Sequence, residues 1–386
     1  MIDAATLDLL RPLEEFEEIR RRAARLGDRL CDLSYANPYE GVQRGTRDVL
    51  RHALDAERLL DLQYTPFGGH TLARRAVADD LGERQRIPYA FDDVVLTPGA
   101  MAALHLALRA SATPGTEVVI PVPCWLDYPL YALHLGLTPI TVPLPAPEFL
   151  LDIDAIEAAI TERTSAILLS NPSNPAGRSY SEDVLARLSA VIARAAHRIR
   201  REITLISDET HRDFTDAASH CPGARVHDTT LTVYSFGKYH FLQGQRVGYV
   251  AVAPGHPRRA AVAAELVRWT RVTGICTPTA LMQRAIPELL ALRHDLSPID
   301  AARAWVSSEL RQAGYRVTPA DATLFLYIET PGAEPDFDFA RRLATRGVLV
   351  LPAPVFHHSG HFRLALTGGR RMLETGVRIL GTTINA

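Results

Sequence analysis

The segment LTVYSFGKYHFLQGQRVGYVAVAP, residues 231–254, contains the only lysine of the chain, Lys238. Its two apolar runs, residues 231–238 and 247–254, are typical of buried strands. Arginine stays protonated at any ordinary pH, whereas a lysine can lose its proton and attack a carbonyl group. The chain has 42 lysine and arginine residues together, so one lysine could persist by chance. The residues around Lys238 must therefore decide whether it is a nucleophile.

Composition bounds the classes of function that the chain can have. Its 386 residues are 47% hydrophobic and 22% charged, as in an ordinary soluble globular protein long enough for two domains. The net charge of −2 predicts no nucleic-acid partner and no anionic membrane surface. The uncharged stretch at 128–147 contains five prolines, which exclude a regular membrane-spanning helix. An acidic N-terminus without an apolar core, and scattered cysteines, predict a cytoplasmic protein.

Apolar runs alternate with helical patterns through the first two thirds of the chain. Residues 182–199, EDVLARLSAVIARAAHRI, have apolar positions every three or four residues, as in an amphipathic helix. The runs that predict buried strands lie at 93–99, 117–123, 165–172, 203–209, 231–238 and 247–254. This order predicts an α/β fold in which a mostly parallel sheet is sandwiched by helices.

The pattern changes after about residue 255. Long helices, including residues 300–314, are followed by shorter strands at 323–329, 347–353 and 361–366. This change predicts a second, smaller α+β domain. We expect the large domain to comprise residues 47–285 and the small domain to combine residues 1–46 with 286–386.

Polar residues collect where the predicted strands end, which is where open α/β sheets bind ligands. Gly99, Ala100 and Met101 follow one strand and open a helix, so their backbone amides could hold a phosphate. The other groups are an amide, a carboxylate, a hydroxyl, an amine and a guanidinium: Asn174, Asp208, Ser235, Lys238 and Arg246. Pyridoxal phosphate needs this combination, because its aldehyde requires an amine and its pyridine nitrogen requires a carboxylate.

Four motifs then resemble one family. NPSNPAG (171–177), SDETHRDF (207–214), SFGKYHFLQGQRVGY (235–249) and HFRLAL (361–366) are similar to the motifs of class I/II aminotransferases, which are fold-type I pyridoxal 5'-phosphate enzymes. The resemblance covers roughly residues 30–370. It implies an enzyme that transfers the amino group of an L-amino acid and releases a 2-oxo acid.

The resemblance also implies a role for each matched residue. Lys238 would form a Schiff base with the cofactor and move the substrate proton, and Asp208 would pair with the pyridine nitrogen. Asn174 would bind the ring 3-oxygen, and Trp125, in PCWLDYP, would stack on the ring. Ser235, Arg246 and the amides of residues 99–101 would bind the phosphate. Arg363 would bind the substrate carboxylate in bidentate fashion.

The same resemblance implies a homodimer with an active site shared across the interface. Tyr64, in YTPFGGHTLARR, matches a tyrosine that reaches the phosphate of the neighbouring subunit. Asn174 and Tyr35 are further predicted substrate contacts. The HHSGH run at 357–361 has poor spacing for a metal, so we predict no metal site and expect the run to contact substrate.

Three departures from the family pattern lie where the substrate would bind. His211 stands where most aminotransferases have a tyrosine, as in the cystathionine β-lyase-like C–S lyases, although those lyases generally lack a match to Arg246. ADATLFLY (320–327) and SYANPYEG (34–41) also differ from the family's sequences. Transamination is the prediction, with His211 as a third catalytic residue. The residues leave open β-elimination from a cysteine conjugate, or decarboxylation with oxidative deamination, in a specialised biosynthetic pathway.

Overall fold

The computed structural model describes residues 2–38, 44–55, 63–215, 220–332 and 334–384. Within them the strands are β1 (Cys31–Asp32), β2 (Val94–Thr97), β3 (Glu117–Val122), β4 (Thr138–Pro143), β5 (Thr164–Ser170), β6 (Thr204–Asp208), β7 (Thr230–Ser235), β8 (Gly248–Val252), β9 (Phe325–Glu329), β10 (Val348–Leu349), β11 (Leu351–Pro352) and β12 (His361–Ala365). The longer helices are α1 (Ala4–Ala23), α2 (Arg44–Leu54), α3 (Thr71–Gln85), α4 (Ala100–Ser111), α5 (Tyr128–His134), α6 (Ile153–Ala159) and α7 (Glu182–Ile199). They continue with the short α8 (Gly223–Val226) and α9 (Phe236–Tyr239), then α10 (Arg259–Val272), α11 (Ala280–Ala291), α12 (Ser297–Gln312), α13 (Asp336–Thr345) and α14 (Arg370–Thr383).

The large sheet has seven strands in the order β2-β8-β7-β6-β5-β3-β4. Only β8 runs antiparallel to its neighbours, and all the other pairings are parallel. Its central strands are buried along their whole length and consist largely of Val, Ile, Leu and Thr, because helices cover both faces. The predicted α/β fold with a mostly parallel sheet is confirmed.

The helices that cover the sheet follow the predicted pattern. The helix α7 has the predicted bounds, and Ser181 caps it by accepting a hydrogen bond from the amide of Val184 at 3.4 Å. Its buried residues recur every three or four positions: Leu185, Leu188, Val191, Ile192 and Ala195. The uncharged stretch at 128–147 forms the short helix α5 and the edge strand β4. No helix in the described residues is both long and apolar enough to cross a bilayer.

The C-terminal third of the chain builds a smaller sheet. Strands β11, β12 and β9 form an antiparallel sheet with β12 in the middle, and β1 pairs with β10 in parallel. One core cluster includes Phe16 of α1, Ile167 of β5 and Tyr327 of β9, so the two sheets share packed side chains. The domain boundaries at 46/47 and 285/286 fall inside α2 and α11, and they stay predictions.

Candidate active site

The first turn of α4 forms one end of a crevice at the carboxyl ends of the parallel strands. Gly99 precedes this helix with φ 82°, and the first amides of a helix have no acceptor within it. A Cβ atom built on Gly99 would lie 2.6 Å from a guanidinium nitrogen of Arg246, so only glycine allows this close approach. Free amides beside a cation suit a phosphate group.

The short helix α9 presents Lys238 directly after β7. Ser235 caps the turn, because its Oγ accepts a hydrogen bond from the amide of Gly237 at 3.2 Å. Lys238 is half-buried and lines the crevice. Burial lowers the pKa of Lys238 to about 8, helped by the positive charges of Arg363 and Arg246 and opposed by Asp208. A larger fraction of this amine is therefore neutral near pH 8 than for an ordinary lysine, as a nucleophile requires.

Asp208, the last residue of β6, is 7% exposed and is held by two donors. The hydroxyl of Tyr128 donates to Oδ2 at 2.6 Å, and the amide of Thr210 donates to Oδ1 at 3.0 Å. Burial raises the pKa of Asp208, and the hydrogen bonds from Thr210 and Tyr128 oppose that rise. The donors therefore orient the carboxylate and partly offset the cost of burying its charge.

His211 lies on the same turn and is 3% exposed. Its Nδ1 is buried and has no hydrogen-bond partner among the described residues, and its ring lies edge-on to Phe325 with the centroids 5.4 Å apart. Burial holds the pKa of His211 well below its usual range, and the charges of Lys238 and Arg363 lower it further. The imidazole is therefore neutral and has an unused nitrogen beside the crevice.

Arg363 lies in β12, is 1% exposed and has no carboxylate partner among the described residues. Nη1 donates to Asn174 Oδ1 at 2.8 Å, and Nη2 donates to the Ser34 carbonyl at 2.9 Å. The guanidinium carbon lies 3.9 Å from the ring centroid of Phe325 and 4.8 Å from that of Phe356. Burial lowers the pKa of Arg363 to about 9. A buried cation held only by neutral groups calls for an anion.

The crevice collects most of the residues that the sequence predicts. Its lining includes Ala100, Met101, Trp125, Asn174, Asp208, His211, Ser235, Lys238 and Arg246. Gly99 lies against Arg246, and Arg363 lies behind Asn174.

The two remaining predicted tyrosines are outside this lining. Tyr64 is fully exposed in the single chain. Tyr35 donates its hydroxyl to Glu17 of α1 at 3.0 Å, next to the Ser34 carbonyl that Arg363 binds. Their cofactor and substrate roles stay predictions.

The family model for aminotransferases of class I and II matches residues 32–380. The chain belongs to this family. The aspartate/prephenate aminotransferase of Thermus thermophilus is 28% identical over 387 residues, covering 94% of this chain and 93% of that protein. This aminotransferase therefore uses pyridoxal 5'-phosphate, as do class I and II aminotransferases of this kind.

Solved aminotransferase structures have the same fold. An amino transferase of Eubacterium rectale has a TM-score of 0.91 at 24% identity and covers 100% of this chain and 99% of its own. An aspartate aminotransferase mutant of Thermus thermophilus, complexed with tryptophan, has a TM-score of 0.85 at 25% identity and covers 95% and 96%. The aminotransferase fold therefore extends over nearly the whole chain.

Several groups of this aminotransferase crevice were missed from the sequence. Tyr128 and Thr210 hold Asp208, and Ser170 also lines the crevice. A signal for Tyr128 existed, because it stands three residues after Trp125 at the start of α5. Phe325 and Phe356 come from distant segments and meet only at Arg363, so no local pattern reveals them.

The chemistry of the crevice fits pyridoxal 5'-phosphate. The α4 amides beside Arg246 suit a phosphate group. The oriented carboxylate of Asp208 suits a ring nitrogen, and the amine of Lys238, with its lowered pKa, suits an aldehyde. The unused Nδ1 of His211 offers a further polar contact, and Trp125 offers an aromatic face.

In the HHSGH run, His357 contacts the Leu126 carbonyl, and His358 contacts the hydroxyl of Tyr327.

Proposed function

We propose that Lys238, Asp208 and Arg363 are the principal groups with which this aminotransferase moves an amino group from an L-amino acid to a 2-oxo acid. The observation that carries the proposal is Arg363, a buried cation that has no carboxylate partner among the described residues and that donates a hydrogen bond to Asn174, which lines the same crevice as Lys238. Its charge lowers the pKa of Lys238, so the two groups lie close enough to interact. An amino acid whose α-carboxylate binds Arg363 would therefore have its Cα atom near the amine of Lys238.

Bound pyridoxal phosphate supplies an aldehyde for amine exchange and a protonated ring that withdraws electrons from the Cα atom of the substrate. Lys238 Nζ, in its neutral form, would take the proton from Cα and would release it to the cofactor C4′ atom. Burial lowers its pKa to about 8, so the same nitrogen can accept and release a proton near neutrality.

The strand-end residues hold the cofactor in our proposal. Asp208 accepts a hydrogen bond from the ring nitrogen, and Tyr128 fixes the direction of its carboxylate. Asn174 offers its Nδ2 to the ring 3-oxygen, because Oδ1 already accepts from Arg363. Ser235, Arg246 and the first amides of α4 would bind the phosphate, and Trp125 would offer its aromatic face to the ring. His211 is a neutral partner beside the ring oxygen.

Arg363 binds the substrate α-carboxylate in bidentate fashion. Phe325 and Phe356 pack against its guanidinium, and its Nε has no hydrogen-bond partner among the described residues, which leaves a donor for an anion. Neutralising this buried charge contributes more to substrate binding than a surface arginine could. Tyr35 is a further substrate contact in this proposal, because it directly follows Ser34, whose carbonyl Arg363 binds.

We also propose a cytoplasmic homodimer in which each partner completes the other's site. Tyr64 is 106% exposed, and Phe67, Leu72, Met101 and Val272 are exposed apolar residues. A second copy that covers such residues would bury them, and it could bring its own Tyr64 to the phosphate end. Sedimentation analysis of the wild type and of Tyr64→Phe tests this point, because the variant should remain dimeric yet bind the cofactor more weakly.

A single-turnover experiment tests the reaction type. Holoenzyme is mixed with one amino acid at a time, aspartate and a cysteine conjugate included, without a second 2-oxo acid. We expect one 2-oxo acid and one pyridoxamine phosphate per active site, with the aldehyde form regenerated by adding a different 2-oxo acid. Ammonia with a free thiol, or carbon dioxide, would instead show elimination or decarboxylation.

A further inference from the structure

The turn at residues 208–213 has two faces. Asp208, Thr210 and His211 line the crevice, whereas Glu209 and Arg212 are 0% and 5% exposed and have their side-chain contacts in the core. The crevice groups therefore depend on how their two charged neighbours are held. Neither neighbour has a role in the function proposed above.

Arg212 is fixed by partners from three other elements. Nη1 donates to the hydroxyl of Tyr249 in β8 at 2.9 Å, and Nη2 donates to Asp80 of α3 at 3.3 Å. Its guanidinium carbon lies 4.1 Å from the ring centroid of Tyr234 in β7. Glu209 lies 3.9 Å from Nη1, so two carboxylates balance this buried cation.

The carboxylate of Glu209 is held by the residue before the turn and by the start of α8. Its carboxylate accepts from Ser207 Oγ at 3.1 Å and from the amide of Gly223 at 3.3 Å. The amide of Arg212 donates to the Glu209 carbonyl at 3.0 Å, which closes the turn over Thr210 and His211. Moving the Arg212 side chain would therefore move the backbone that presents His211.

The contacts of Arg212 also reach the end of β7, directly before the turn at residues 235–238 that carries Ser235 and Lys238. Tyr234 directly precedes Ser235, and its register partner across the sheet is Tyr249. The hydroxyl of Tyr234 donates to Asp213 at 2.7 Å, which joins β7 to the end of the 208–213 turn. The Arg212 side chain thus connects the 208–213 turn, which carries Asp208 and His211, to the end of β7 that precedes Ser235 and Lys238.

We propose that Arg212 is a positioning residue that holds these two turns in the relative placement that cofactor binding requires. The inference rests on the proposed function, in which the 208–211 groups contact the ring and the 235–238 groups contact the phosphate and the aldehyde. Removing the guanidinium would leave Glu209 and Asp80 with less compensating charge in the core, and the turn would have to rearrange.

The test compares Arg212→Met with Arg342→Met. Arg342 is the control, a partly exposed arginine in the small-sheet region with contacts of the same kinds: it pairs with Glu334 at 2.6 Å, donates to the Thr383 carbonyl at 2.9 Å and lies 5.4 Å from the Phe339 ring. Each holoenzyme is measured for its cofactor dissociation constant, its thermal midpoint and the pH at which the visible spectrum of the bound cofactor changes.

We expect both variants to lose stability, but only Arg212→Met to bind the cofactor more weakly. Its affinity should fall by about tenfold or more, as metal affinity does when the residues that hold a metal ligand are replaced. The spectral transition should shift in pH in Arg212→Met alone, and Arg212→Lys should recover part of both effects. Unchanged affinity and unchanged spectral pH in a destabilised Arg212→Met protein would overturn the proposal and leave Arg212 a stability residue.

A milder pair decides the matter if Arg212→Met does not fold. Tyr249→Phe removes one hydrogen bond to Arg212, and Tyr315→Phe removes a buried hydroxyl that donates to the Leu380 carbonyl at 3.0 Å. The first should weaken cofactor binding and the second should not, and equal affinities would overturn the inference. Failure of the proposed function looks different, because the wild type itself would then show no cofactor bound to Lys238.

Discussion

The proposed site has two walls that are built in different ways: strand-end residues that line the crevice, and the residues around Arg363, which lies behind the crevice residue Asn174. On the large-sheet wall, Asp208 and Ser235 are the last residues of their strands, and Lys238 follows within one turn. On the opposite wall, Arg363 lies in mid-strand and is held by Ser34, Asn174 and two phenylalanine rings. Local sequence thus places the proposed cofactor-binding groups, whereas the surroundings of the proposed carboxylate-binding Arg363 depend on segments far apart in the chain. Mutations on the first wall should affect the cofactor, and mutations on the second should affect the substrate.

The largest effect is expected on the first wall. Lys238→Arg keeps a positive charge but has no amine that becomes neutral, so turnover should fall by at least about 10³-fold, within the range for a lost acid–base group. Steady-state kinetics with a reactive amino acid measures this loss. Residual turnover within tenfold of the wild type would show that another group moves the proton.

Arg363→Met probes the opposite wall. Because the substrate carboxylate would lose its buried cationic partner, kcat/KM should fall roughly 10²- to 10³-fold. The cofactor dissociation constant should stay near that of the wild type. The matched control is Arg316→Met, because Arg316 is exposed and pairs only with Glu329 on the surface. A large loss of cofactor affinity in Arg363→Met would mean that the two walls are not separable in this way.

Tyr128→Phe probes the direction of the Asp208 carboxylate. A hydrogen bond to a charged group is lost without loss of the ring, so we expect kcat to fall about tenfold and the pKa of Asp208 to rise. Tyr131→Phe is the control, since its hydroxyl donates to Asp127 at 3.0 Å. Equal kcat values for the two variants would remove Tyr128 from the site.

His211→Tyr tests the departure from the usual family residue. The pH at which the cofactor spectrum changes should shift while the cofactor stays bound, because a phenol hydroxyl would replace the neutral imidazole that we propose beside the ring oxygen. The change in turnover should be less than about tenfold, below the 10²- to 10⁴-fold contribution of a general acid or base. A spectral titration identical to that of the wild type would make His211 a bystander.

The smallest expected effect is a change in the stability of the cofactor-free protein, which Asp208→Asn measures. Burial raises the folded-state pKa of this carboxyl, so its charge opposes folding once the pH exceeds the unfolded-state pKa. At pH 7 the variant should therefore melt at a higher temperature without cofactor, although the holoenzyme should lose activity. A lower melting temperature would show that the hydrogen bonds to Asp208 outweigh its desolvation.

Local patterns predicted the strand-end groups, and the family resemblance predicted Arg363, but contacts made across the fold were missed on both walls. Each strand-end group follows a recognisable apolar run, so Asp208, Ser235 and Lys238 could be placed from local patterns, and the crevice brings them together. Tyr128 was missed, because its bond to Asp208 joins residues 80 positions apart. The stacking of Phe325 and Phe356 on Arg363 likewise depends on how the small sheet packs. The two faces of the 208–213 turn became visible only in three dimensions.

The most direct test is borohydride reduction of the holoenzyme followed by tryptic mapping. Since Lys238 is the only lysine, the account predicts one fixed cofactor per chain, on the peptide of residues 226–246, which the modified lysine protects from internal cleavage. Reduced holoenzyme whose 226–246 region is unlabelled, or is cleaved after Lys238 as in the untreated chain, would contradict it.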